Sequence, residues 1–345
     1  GVRIAPTRRS RMTTTLFQHM WLSREKQFSA FTNGILLDFW NQRQEGEFTG
    51  VDGVSIRYVH WRSSSHKKAL VICSGRSESY VKYPEVAFDF YHLGYDIFLL
   101  DHRGQGLSGR LLDDPQKGHV EKFSDYVDDL STFIDTIVLP YHYQHYFALA
   151  HSMGGAILAS YLLRKPDTFQ AAALCAPMFG INLPIPRWVA NFLVNRAEQS
   201  VSERNNYAVS TGKWFPLPFI LNVLTHSHER YRRYLRYYAD FPQLRLGGPT
   251  YHWMKESLET GDWLIEHAKE INTPLLVLEA ELDKVVDNRG VRAFCDGYSQ
   301  SRTREEKQKL PLVIEGAHHE ILFEIDKLRS QALIEICEFY DKHLF

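Results

Sequence analysis

One stretch near the middle of the chain, Leu149-Ala150-His151-Ser152-Met153-Gly154-Gly155, limits what it can fold into more than any other. It follows the apolar run Tyr146-Phe147-Ala148 and precedes Ala156 to Leu163, whose apolar residues recur at helical spacing, so a serine falls where a strand is predicted to turn straight into a helix. Such a turn brings strand and helix close together and holds the serine in strained φ/ψ space, so its neighbours must lack bulk. The pattern reads A-x-S-x-G, with Ala150 in place of the first glycine of the commoner G-x-S-x-G. Taken alone, S-x-G also describes an N-cap serine before an ordinary helix. The rest of the chain chooses between the two.

With 345 residues, 44% of them hydrophobic and 23% charged, the chain can bury a sizeable core, and one α/β domain with an insertion fits that length. A net charge of −1 provides no overall field for nucleic acid or an anionic membrane, so no nucleic-acid partner is expected and any membrane attraction must be local. Cys73, Cys175, Cys295 and Cys337 form no C-x-x-C pair and read as reduced core residues of a cytoplasmic protein. No run approaches the roughly 18 apolar residues of a spanning helix. Residues 1–20, basic at their start, read as a disordered leader. The pairs His142/His145 and His226/His228 lack a third ligand at any motif spacing, so neither a metal nor another cofactor is expected.

Apolar residues Phe28, Phe31, Ile35, Leu36 and Trp40 predict an N-terminal helix within residues 22–45. Val54–Trp61 alternates as a half-exposed outer strand, whereas Ala69–Cys73, Tyr95–Leu100, Ala171–Cys175, Pro274–Glu279 and Leu310–Ile314 are continuous apolar runs typical of buried parallel strands. All but Ala171–Cys175, which runs into Ala176-Pro177, are followed by a polar loop. The loop Ser74–Tyr80 contains Gly75, and a glycine-containing loop at such a strand end is suited to donating a backbone N–H to an oxyanion. Gly104-Gln105-Gly106 with Gly109 spells G-x-G-x-x-G, but charged, helical sequence follows it rather than a second strand ending in an acid, so a dinucleotide loop is not expected. Between Pro177 and the strand near residue 274 the texture turns to aromatics, prolines and arginines, which predicts a helical cap over 178–269 inserted into a core of 21–177 and 270–345.

After the serine come an acid behind a late strand, Asp283 or Asp287, and a histidine behind the last one, His318 or His319. Asp283 is preferred because it stands directly at the strand end. All these strand ends meet along one edge of an open parallel sheet. The motifs at Ser74–Tyr80, Asp101–Gly109, Ala150–Gly155 and Gly316–Leu322, together with Tyr80–Tyr83 and Gly247–Trp253, resemble the monoacylglycerol-lipase-like branch of the α/β-hydrolases, and within it the bacterial lysophospholipases of the PldB type, over about residues 28–341. That resemblance implies an α/β-hydrolase fold and cleavage of the acyl ester of lysophospholipids or monoacylglycerols, in peripheral contact with the inner face of the inner membrane. Ser152 would be the nucleophile and Asp283 the orienting acid. His319 would be the base, because the family's histidine directly precedes the last helix. The backbone N–H groups of Arg76 and Met153 would meet the oxyanion. The family usually carries His-Gly where Ser74-Gly75 stands, which puts the support of that loop in question.

Two features of the cap add expectations. Trp188, Phe192, Trp214, Phe215 and Phe219 are read as an acyl channel, the alternative being the cap's own core. Arg230, Arg232, Arg233 and Arg236, interleaved with tyrosines, are read as selecting a phosphorylated headgroup or docking on anionic lipid, the alternative being a solvated helix face. A lipid acyltransferase using the same acyl-enzyme, or a catalytically silent binding protein of the same fold, are the rival functions.

Overall fold

Strands with no polar face can only be buried on both sides, and here they form the middle of an eight-stranded sheet in a computed structural model that describes residues 19–302 and 309–345. The strands are β1 (Gln44–Thr49), β2 (Ser55–Trp61), β3 (Lys68–Cys73), β4 (Tyr95–Leu100), β5 (His145–His151), β6 (Ala171–Cys175), β7 (Leu275–Ala280) and β8 (Leu312–Ile314). Their spatial order is β1-β2-β4-β3-β5-β6-β7-β8. β1, β2 and β4 pair antiparallel, and every other pair is parallel. This is the mostly parallel sheet flanked by helices that the sequence predicts.

The helices are α1 (Phe28–Asn33), α2 (Ile35–Asn41), α3 (Pro84–Tyr91), α4 (Phe123–Phe133), α5 (Met153–Arg164), α6 (Arg187–Ala197), α7 (Val201–Arg204), α8 (His228–Asp240), α9 (Tyr251–His267), α10 (Asn288–Gln300) and α11 (Asp326–Asp341). Side chains alternate across each strand, so the core divides into two layers. Leu70, Ile72, Phe147 and Leu149 face α2, α3 and α11. Val71, Ala148, Ala150 and Leu174 face α4, α5, α9 and α10.

Two sequence expectations need amendment. The N-terminal helix breaks at Gly34 (φ −114°, ψ −100°) into α1 and α2, where an added Cβ would lie 2.9 Å from the Ala30 carbonyl oxygen. The chain then forms β1 outside β2, so Val54–Trp61 is not the outermost strand. β1 carries mostly exposed polar side chains and has no apolar alternation to read; the open edge of β2 accounts for it. The leader expected over residues 1–20 falls almost wholly outside the described residues, as does the middle of the polar loop after α10.

α8 is fastened to the body by buried charge. The Arg230 guanidinium donates to both Glu85 carboxylate oxygens at 2.9 and 2.8 Å and to Asp326 at 2.9 Å. Arg24 donates twice to Asp89 at 2.8 Å and to Glu85 at 3.1 Å, and Arg329 donates to Asp89 at 2.6 Å. All six side chains are buried, and three arginines balance three carboxylates. Burial alone would raise the Glu85 carboxyl, but Arg230, Arg329 and Arg24 hold it well below the usual carboxylate range. Arg230 is therefore not a surface cation, and the expectation that it meets a headgroup or a bilayer is corrected: its charge is already spent inside the protein.

Removing one member of such a network leaves a buried charge uncompensated, at a cost of about 3–5 kcal/mol. Arg230→Met is expected to lose about 3 kcal/mol of unfolding free energy in urea titration, with part of it recovered when Glu85→Gln is added. An unchanged urea midpoint for the single variant would mean that the guanidinium is not desolvated.

Candidate active site

Ser152 stands between β5 and α5 with φ 54° and ψ −122°, a left-handed backbone that a residue with a Cβ rarely adopts. The strain is tolerated because the turn is clamped: Ser152 N–H donates to Cys175 O at 3.1 Å and Met178 N–H donates to Ser152 O at 3.0 Å. Glycine is required behind it. A Cβ on Gly154 would lie 2.1 Å from the Cys73 carbonyl oxygen, and one on Gly155 2.6 Å from Pro177. Ala150 is fully buried at the position where glycine is commoner.

His319 Nε2 lies 3.0 Å from Ser152 Oγ, and His319 Nδ1 lies 2.7 Å from Asp283 Oδ2. The other Asp283 oxygen accepts the N–H groups of Val285 and Val286 at 2.8 and 3.0 Å, which fixes the carboxylate. With Asp283 accepting at Nδ1, the imidazole presents a free lone pair at Nε2 to the serine hydroxyl. Serine, base and orienting acid are thus joined in one chain, the arrangement that activates a nucleophile. The rivals have other employment. Asp287 caps α10 and pairs with Arg289, while His318 stacks on His226 with ring centroids 3.9 Å apart.

Arg76 and Ser152 line the same cleft, and Met153 directly follows the serine. Met153 is the first residue of α5, where backbone N–H groups have no partner within the helix. Gly75 passes so close that a Cβ there would meet Ser152 Cβ at 3.2 Å. Ser74 gives this loop no side-chain support, its buried Oγ having no partner among the described residues. Support comes instead from Gln105, whose amide donates to Gly75 O at 2.8 Å and Glu78 O at 3.0 Å, from His102 Nε2 at 3.0 Å from Ser74 O, and from Glu78, which accepts the Gly75 N–H at 2.6 Å. The glycine-rich run Asp101–Gly109 is therefore the brace of the loop Ser74–Tyr80. Gly106, at φ 59°, is wrapped so tightly on Asp101 that a Cβ would lie 2.2 Å from its carboxylate.

A buried charge cluster closes one side. Lys82 Nζ donates to Glu78 at 2.8 Å and to Glu320, and its ammonium lies 4.9 Å from the centre of the Tyr234 ring. Although burial opposes it, Lys82 pulls the Glu78 carboxyl down to about 2; burial pushes that of Glu320 up. Glu78, His151 and Glu320 are the one group of three convergent potential metal ligands among the described residues, but the lysine ammonium already bonds both carboxylates where a cation would sit. Burial drops the His151 pKa to about 4, so this ring, 4.8 Å from that of His319, is neutral at pH 7 and puts no charge beside the base. Sequence reading missed Gln105, Glu78, Lys82 and Glu320; only the glycine spacing in Asp101–Gly109 was a signal, and it marked a tight loop without its purpose.

Two arms of one cleft meet at Ser152 and Arg76. The first, of about 290 Å³, is apolar and mainly aliphatic, lined by Met178, Ile181, Leu193, Val194, Val209 and Met254, with Tyr251 and Trp253. The second, of about 430 Å³, is the more polar of the two, with Lys82, Glu78, Lys213, Trp214, Phe215 and Tyr234 in its wall beside Leu217, Leu224 and Leu235. α6 turns Ala190, Leu193 and Val194 inward and leaves Trp188 (74% exposed) and Phe192 (60%) facing solvent. The expectation that the five cap aromatics form an acyl channel is corrected accordingly: Trp188 lines neither arm, Trp214 and Phe215 line the second one, Phe219 stacks on His228, and the first arm is built mainly from aliphatic side chains with Tyr251 and Trp253. Arg232, Arg233 and Arg236 line neither arm. Arg233 donates to the Tyr237 hydroxyl at 2.8 Å, and Arg236 is exposed near Asp240.

The family model described as "Serine aminopeptidase, S33" matches residues 64–326. The chain is 51% identical to lysophospholipase L2 of Escherichia coli (strain K12), over 94% of this chain and 96% of that protein. It is 26% identical to the monoacylglycerol lipase of Mycolicibacterium smegmatis, over 82% of this chain and 92% of that protein. Among solved structures it is similar to a soluble variant of monoglyceride lipase from Saccharomyces cerevisiae in complex with a substrate analog, with TM-score 0.66, 18% identity, and 87% and 94% of the two chains covered.

The geometry separates Asp283 from Asp287. A fluorophosphonate probe is expected to label Ser152, with the labelling rate falling about 10³–10⁴-fold in Asp283→Asn, which leaves the histidine in the wrong tautomer. Asp287→Asn is expected to stay within about twofold of wild type, since it touches only a helix cap. Mass-spectrometric time courses check both.

Proposed function

Since the chain belongs to the serine aminopeptidase S33 family of hydrolases, we propose that it is a carboxylic ester hydrolase, a lysophospholipase that also accepts monoacylglycerols. The observation that carries this reading is the meeting of an apolar arm and an arm with charged residues in its wall at one activated serine. An acyl chain in the first arm gains about 0.8 kcal/mol per buried methylene, while the glycerol side of the ester lies in the second. A peptide's α-amine would need a free acid. The carboxylates lining the polar arm, Glu78 and Glu320, are both bonded to Lys82.

Ser152 Oγ attacks the ester carbonyl as His319 Nε2 takes its proton, and Asp283 stabilises the imidazolium. The oxyanion is met by the N–H groups of Arg76 and Met153, each such donor contributing about 3 kcal/mol. The carbonyl re-forms, the C–O bond to the glycerol moiety breaks, and His319 returns the proton to the leaving oxygen. A water then repeats the sequence on the acyl-enzyme and releases the fatty acid. No cofactor takes part in these steps.

We further take 178–250 as the cap, with α9 belonging to the layer that flanks the sheet, where Trp253 and Leu264 are buried. On this reading the protein works from the cytoplasm at the inner face of the membrane. Among the described residues no helix is long and apolar enough to cross a bilayer. Trp188, Phe192, Phe215 and Ile220 present exposed apolar surface on the cap, and Arg232 and Arg236 an exposed basic edge on α8, which suit peripheral contact with anionic lipid.

Wild type is expected to release fatty acid from a lysophospholipid, with Ser152→Ala inactive, and kcat/KM on p-nitrophenyl esters should rise from acetate through octanoate. A monotonic fall beyond butyrate removes the acyl arm from the account, and formation of a diacylated lipid from lysolipid alone identifies acyl transfer instead. In sedimentation with anionic vesicles the variant carrying Arg232→Gln, Arg233→Gln and Arg236→Gln is expected to bind about tenfold more weakly, at about 0.5 kcal/mol per charge once salt screening has reduced the full attraction. Equal binding would leave these arginines as a solvated face.

A further inference from the structure

We infer that the Arg76 side chain grips the phosphodiester of a lysophospholipid and so sets the preference for phosphorylated over uncharged monoesters, an inference that rests on the lysophospholipase reading and specifies its headgroup site. The cations lining the two arms, among the described residues, are Arg76, Lys82 and Lys213, and Arg76 alone lines both. Lys82 is committed to Glu78 and Glu320, and Lys213 is exposed at the rim. The α8 arginines are elsewhere, Arg230 in its buried network and the others outside both arms.

Arg76 has a built seat but no counter-charge. Its Nη1 donates to Gly247 O at 2.9 Å, and the guanidinium carbon lies 5.7 Å from the centre of the Trp253 ring. Gly118 makes room for it, since a Cβ there would come within 2.9 Å of Nη1. No carboxylate among the described residues lies at ion-pair distance from it. The ionisable groups that weigh on it are the hydroxyls of Tyr126, Tyr234 and Tyr238, and desolvation pulls its pKa below the ordinary arginine value. A half-buried cation with no counter-charge, facing an open cleft, gains from an anion that arrives.

Five N–H donors in a planar fork suit phosphate oxygens, and a single one of them is engaged with a protein carbonyl. The position is also right along the chain of the substrate. Arg76 follows Gly75, the residue packed against Ser152, and lines both arms; in the mechanism proposed above its own N–H meets the ester carbonyl, which leaves its side chain for the headgroup side. One residue thereby reads both ends of a lysophospholipid's glycerol, the ester through its backbone and the phosphodiester through its side chain.

The test compares wild type, Arg76→Gln and Arg76→Lys on oleoyl lysophosphatidylethanolamine and on monooleoylglycerol, with thermal melting to verify folding. The ratio of the two kcat/KM values is expected to fall about ten- to a hundredfold in Arg76→Gln, through KM more than kcat, and less in Arg76→Lys, which keeps the charge without the fork. A folded Arg76→Gln protein that cleaves both lipids in the wild-type ratio overturns the inference while leaving the lysophospholipase reading intact. Wild type that cleaves neither lipid removes the reading beneath it. Inorganic phosphate is the remaining arm: it is expected to leave the wild-type ratio unchanged, and inhibition of both substrates that disappears in Arg76→Gln would identify a free-anion site instead of a headgroup site.

Discussion

The approach of α5 to the ends of β3 and β6 is the constraint on which the site depends. Gly154 is pressed against the carbonyl oxygens of Cys73 and Ser74, and Gly155 against Pro177, at distances no Cβ could occupy. That contact pushes Ser152 into its left-handed conformation and lifts its hydroxyl above the sheet edge, toward the histidine after β8. It also brings Gly75 against Ser152, so the same packing that exposes the serine sets the place of the loop after β3. Backbone strain of about 1–3 kcal/mol at one residue is sustained by two fully packed layers around it.

Charge is handled in two ways within the fold. Around Glu85 and Asp89, three arginines and three carboxylates neutralise each other and fasten the N-terminal segment, α3, α8 and α11 together. Near the serine, Lys82 joins Glu78 and Glu320, and that pairing ties the loop after β3 to the residue following His319. Both networks are closed, and closed networks confer position rather than reactivity. Arg76 stands apart from them. A guanidinium lining a cleft without a carboxylate is costly to keep, which makes it a better marker of a ligand than the more conspicuous arginine run on α8.

Much of the fold was legible because the central strands are continuous apolar runs and the helices between them keep a regular period. β1 was not, since its side chains are polar and its pairing is supplied by β2. The break at Gly34 was hidden by apolar residues that keep helical spacing across it. In the site, serine, acid and histidine could be named from their order and their places behind strands. Gln105 and Lys82 could not, because nothing local distinguishes a glutamine that braces a distant loop, or a lysine between two acids, from the same residues in water.

Sequence by itself determined the strand-turn-helix at Ser152, the chain order of serine, acid and histidine and the long helical stretch between β6 and β7, because each is encoded in spacing and periodicity along the chain. Tertiary structure alone decided between Asp283 and Asp287 and placed His319 rather than His318 against the serine, since those choices depend on which side chain reaches across the gap between strand ends. It also reversed the roles of the arginines. Arg230 and Arg232 are alike in sequence, yet a helix turns one toward Glu85 and the other toward solvent, and the buried partner, not the residue type, settles whether a cation holds the protein together or remains available to a ligand.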